Sequence, residues 1–119
     1  MNSFAYGDFK AEIDVTDVSF VETYETAAEA YNEEIRKVPQ DGKASEQMRC
    51  MCEVFFRAFD RIFGDGTHEK MFGNRMSVDA CVQAFQELVR TMGDYTETLK
   101  KMEMDMLPAA KPQKVRGKK

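Results

Sequence analysis

One pattern constrains this chain more than any other. Cys81, Phe85, Leu88, Met92, Tyr95, Leu99, Met102 and Met106 follow one another at alternating steps of four and three residues. That heptad spacing gathers apolar side chains into a single stripe along a helix. The pattern predicts one long helix, started by Ser77 and running to Leu107 before Pro108. At about 1.5 Å per residue such a helix is roughly 45 Å long, more than the width of a small domain. Its C-terminal half is therefore expected to project and to bury its stripe against a partner. Gly93, which costs about 1 kcal/mol relative to alanine inside a helix, marks where the packed half meets the projecting half.

The preceding residues supply what the first half packs on. Between Ser3 and Val15, apolar residues alternate with polar ones at Phe9, Ala11, Ile13 and Val15, with Gly7-Asp8 at the turn, which predicts a β-hairpin. Two strands alone are marginal in water, so the hairpin must pack on helices or on another chain. From Asp17, an N-cap, the period lengthens through Val21, Tyr24, Ala28, Tyr31, Ile35 and Val38 until Pro39 and Gly42 stop the helix. Ser45 is expected to cap a second helix, whose stripe of Met48, Cys52, Phe55, Phe59 and Ile62 makes it the core helix. It ends at Gly64-Asp65-Gly66, after which Thr67 is expected to cap a single turn through Phe72, closed by Gly73-Asn74. The expected fold class is α+β, mainly α: an N-terminal β-hairpin, two amphipathic helices, a Gly-rich connector and a long heptad-patterned C-terminal helix. These form one domain over residues 1–107, followed by a basic, disordered tail over 108–119.

Composition narrows the function classes. With 119 residues, 43% of them hydrophobic, the chain can bury a core without disulfides or a structural metal. Its longest apolar runs, such as Val54-Phe55-Phe56, fall far short of the roughly 20 residues that span a bilayer. The N-terminus lacks the basic flank and apolar stretch of a secretory signal. The expectation is a cytoplasmic protein with no membrane partner. The last nine residues carry five basic side chains and no acidic one, whereas the first 110 carry 12 basic and 21 acidic, a body of net −9 and a tail of +5. That body argues against nucleic acid lying across the fold, and only the tail could attract a polyanion.

The inventory for chemistry is short. His68 is the only histidine, flanked by Asp65 and Glu69 in the polar connector with no serine or cysteine beside it in sequence to activate, and it reads as a solvent-exposed turn residue. Cys50, Cys52, Cys81 and His68 have zinc-ligand chemistry, but Cys50 and Cys52 point to different sides of one helix, and Cys52 and Cys81 fall on apolar stripes. All three cysteines read as free thiols. Gly64-Asp65-Gly66-Thr67 completes neither a phosphate-loop nor a calcium-loop template and reads as a structural stop and start that fixes the angle between helices. Glu22, Glu25, Glu29 and Glu33 form a solvated face opposite the first apolar stripe. No catalytic residue, metal or cofactor is expected.

The run Phe63-Gly64-Asp65-Gly66-Thr67-His68-Glu69-Lys70-Met71-Phe72-Gly73, followed by the capped helix beginning near Val78, resembles small proteins encoded in phage and prophage tail modules of Gram-positive bacteria. The hairpin, the Glu46-Gln47-Met48 helix start and the basic end after a long helix fit the same resemblance, which covers roughly residues 4–107. The chain's last residues, Lys114-Val115-Arg116-Gly117-Lys118-Lys119, depart from the Asn-Arg-x-x-Arg-Arg-like string of those proteins. The resemblance implies a non-enzymatic tail assembly chaperone that holds the helical tape-measure protein soluble, or another tail protein. Residue types are consistent with a client surface on the last helix at Met92, Tyr95, Leu99, Met102 and Met106, because methionine packs adaptably against varied apolar partners. Gly64, Gly66, Thr67 and Gly73 are its structural connector. A homo-oligomer through the last helix or the hairpin edge is a further expectation. The alternative is a small regulatory or nucleic-acid-associated protein acting through its basic C-terminal tail.

Overall fold

A computed structural model describes residues 2–93 and 95–106. The basic segment expected to be a tail lies outside the described residues. The fold is α+β and mainly α. Strands β1 (Asn2–Tyr6) and β2 (Phe9–Ile13) form an antiparallel hairpin, followed by α1 (Val18–Arg36), α2 (Ala44–Phe63), α3 (Thr67–Phe72), α4 (Val78–Met92) and α5 (Tyr95–Asp105).

The hairpin register pairs Tyr6 with Phe9 and Asn2 with Ile13. Phe4, Tyr6, Phe9, Ala11 and Ile13 consequently share one face, and Ser3, Lys10 and Glu12 share the other. The apolar face lies on the helices: Phe4 and Ile13 are fully buried, and the Phe4 ring stacks on Phe63 at 5.5 Å between centroids. The turn needs its glycine twice over. Gly7 has φ +59°, and a Cβ there would sit 2.2 Å from the carbonyl oxygen of Met71. The neighbouring Asp8 N–H donates to the Lys70 carbonyl at 3.0 Å, so hairpin and α3 are joined backbone to backbone.

The core is filled from α2 and α4. Cys52, Phe55, Phe59 and Ile62 of α2 meet Cys81, Ala84, Leu88 and Met92 of α4, with Phe4, Ile13, Ala27 and Met71 closing the cluster. Asp17 caps α1 by accepting from the Phe20 N–H at 3.0 Å, and Ser77 caps α4 by accepting from the Ala80 N–H at 3.2 Å. Ser45 does not cap α2, in contrast to the expectation. That helix begins earlier, at Ala44 after Lys43, and has no side-chain cap, so Ser45 lies inside its first turn.

The single helix expected over residues 77–107 is two helices. Gly93 takes φ +60° and ψ −152°, backbone that only glycine enters easily, and its N–H donates to both Val89 and Arg90 carbonyls at 3.1 Å. The heptad seam is divided accordingly. Its α4 half lies in the core, whereas α5 has no buried residue.

Candidate functional site

Helix α5 meets the body at its first turn. Tyr95 packs against the core and lies beside Tyr24, whose phenol is pushed up chiefly by burial and secondarily by Tyr95. Beyond it, α5 and the start of α1 enclose an apolar groove of about 300 Å³. Val15, Val18 and Val21 line one side and Tyr95 and Leu99 the other, with the carboxylates of Glu22 and Glu25 at its margin. Val18 is 70% exposed and Leu99 48%. Met102 extends the Leu99 stripe along α5, Met106 continues it just past the helix end, and both are exposed. Lys100, Lys101 and Met104 occupy the back of the helix with Thr96 and Glu97. Met92, grouped with these residues by its heptad position, is placed differently: it is 2% exposed and belongs to the core.

The connector is held from α2. Gly64 ends that helix at φ +113°, its N–H donating to the Asp60 carbonyl at 2.8 Å, and Gly66 (φ +90°) precedes α3. Thr67 does not cap α3 as expected. Its buried hydroxyl donates to the Gly64 carbonyl at 2.6 Å, and the capping acceptor is Asp60, whose Oδ1 takes the His68 N–H at 3.0 Å. The other Asp60 oxygen lies 2.9 Å from His68 Nδ1, and the imidazole stacks on Phe56 at 4.5 Å. His68 is thus half-buried and held on both sides, not a solvent-exposed turn residue. Gly73 closes α3 with φ +63° and donates to Glu69 at 2.8 Å.

Glu34 and the core cysteines are engaged in structure. Glu34, on α1, accepts from Arg57 at 3.0 Å and Arg61 at 2.6 Å, both on α2. Its carboxyl is held below the ordinary range, first by the Arg61 hydrogen bond; burial opposes it as the next effect, and Arg57 adds to the lowering. Sequence reasoning missed this pair of contacts, although acid and arginines on successive amphipathic helices were a signal. Cys52 and Cys81 meet inside the core, and burial pushes the Cys81 thiol up to about 12. Cys50 lies elsewhere, half-buried beside Val38 and Pro39. Among the described residues no group of three or more His, Cys, Asp or Glu side chains could hold a metal ion, and no helix is long and apolar enough to cross a membrane.

A family model described as "Family of unknown function (DUF6673)" matches residues 7–119. No curated protein and no solved structure matches the chain.

Proposed function

This chain belongs to that family of unknown function, and we propose that it is a non-enzymatic binding protein of phage or prophage tail morphogenesis. In this reading it is a tail assembly chaperone that holds an apolar helical client, such as a tape-measure protein, in the cytoplasm of the bacterial host. One observation carries the binding function: α5 is an eleven-residue helix with no buried residue and an apolar stripe of Leu99 and Met102, continued by Met106 just past its end. Helices this short are marginal in water unless a face is covered, so the stripe is suited to a partner. The groove with Val15, Val18 and Val21 adds apolar surface beside that stripe. The tail-assembly assignment rests on the resemblance carried by the Phe63–Gly73 connector. Self-association through the hairpin edge is compatible with this role.

The reactive groups favour binding over turnover. His68 is committed to Asp60 and Phe56, and the two core thiols face each other out of reach of solvent. Size-exclusion chromatography with light scattering, after co-expression with a long helical protein encoded nearby, tests the reading. Co-elution that is lost in Leu99→Asp/Met102→Asp supports a client on α5. A monomer that ignores that protein removes the chaperone role.

A further inference from the structure

The seat on α5 carries charge of one sign where a partner would meet it. On a helix of about 3.6 residues per turn, Glu103 falls on one flank of the Leu99, Met102, Met106 stripe and Asp105 on the other. The lysines of α5 are on its back: Lys100 and Lys101 lie with Thr96, Glu97 and Met104, away from the groove. Across the groove, the α1 residues beside the valines are Glu22 and Glu25, both exposed. The apolar floor of Val18, Val21 and Leu99 is therefore bordered by the α1 acids, and the stripe that continues it along α5 is flanked by Glu103 and Asp105.

We propose that the partner of this groove is a cationic amphipathic helix, one whose apolar stripe is flanked by lysine or arginine. The inference rests on the binding role of α5 proposed above and specifies the chemistry of its client. An apolar stripe by itself does not discriminate among amphipathic helices, since the hydrophobic effect is non-directional. The acidic margins supply the discrimination: a basic flank meets opposite charge on both sides, and an acidic flank meets like charge. The same arrangement disfavours a second α5 in the seat, because its stripe has acidic flanks too.

The test uses the full chain and three synthetic helices of about 18 residues with one leucine stripe and flanks of lysine, glutamine or glutamate. Binding is followed by titration calorimetry. The lysine-flanked helix is expected to bind at least about tenfold more tightly than the glutamine-flanked one and to weaken with salt, and the glutamate-flanked helix to bind least. Glu22→Lys/Glu25→Lys should abolish the preference for lysine over glutamine. Glu29→Lys/Glu53→Lys, which makes the same charge change outside the groove, should preserve it. Equal binding of all three helices overturns the charge selection while leaving an apolar seat intact, and no binding of any of them overturns both this inference and the binding role beneath it. Loss of preference in both variants shows nonspecific attraction to an acidic body and overturns the assigned seat. Dimers by light scattering that exclude the lysine-flanked helix, or its displacement by an equimolar synthetic segment of residues 108–119, give the groove to a second copy or to the chain's own end, and either overturns the proposal.

Discussion

At the scale of single residues, the molecule depends on groups that sequence spacing ranks poorly. Gly7 is one of several turn glycines by composition, but the Met71 carbonyl leaves no room for a side chain. Gly7→Ala combines that clash with left-handed backbone and should cost about 2–3 kcal/mol, read as a shift in the denaturant midpoint. Glu34 provides a pH-dependent contribution. Its carboxyl titrates lower in the fold than the ordinary value of 4.5, so it stabilises the fold above about that pH and the contribution is lost as pH falls through the folded value. Glu34→Gln should therefore be less stable than the parent near neutrality, by about 1 kcal/mol given its solvent exposure, and the difference should close on acidification below pH 4.5. His68 shows the limit of local reading. Its partner Asp60 is eight residues earlier on another helix, and Phe56 is a full turn before that, so their convergence depends on how the connector folds back.

At the scale of elements, helix starts and stops were legible where a side chain acts on its own backbone. Asp17 and Ser77 cap as their positions predict, since the cap reaches an N–H only three residues away. Ser45 has equal cap chemistry but sits within the helix that begins at Ala44. Ser77→Ala should accordingly lower stability by about 1 kcal/mol, whereas Ser45→Ala should leave it unchanged or raise it slightly, a contrast that paired thermal melts can check. The hairpin was legible for the same reason: alternation and a two-residue turn specify register locally. The break at Gly93 was only half legible. Spacing flagged the residue as the junction between packed and projecting halves, but the unbroken heptad phase concealed that the backbone leaves the helix there.

At the scale of the whole molecule, the fold separates a part that determines stability from a part that does not. Leu88 has no exposure, and Leu88→Ala should cost about 2–5 kcal/mol. Leu99→Asp/Met102→Asp, on a helix with no fully buried residue, should move the unfolding midpoint by less than about 0.5 kcal/mol. A large destabilisation by that double variant would mean that α5 is part of the cooperative unit. Stability measured in this way keeps any loss of client binding interpretable as loss of the surface itself. The candidate site was legible in part: Tyr95, Leu99, Met102 and Met106 follow from the stripe, whereas Met92 shares the stripe and belongs to the core. Periodicity reports which side chains share a face, and it contains no information about which stretch of that face finds a neighbour.

The sequence by itself determined the α+β class, the hairpin register, most helix boundaries and the apolar stripes, because each depends on residues within a few positions of one another. Tertiary structure alone decided that Asp60 holds His68, that Glu34 joins two arginines, and that Val15, Val18 and Val21 meet Leu99 across a groove. Those contacts join residues far apart along the chain. Their energies appear only once helices have packed, so no local spacing encodes them.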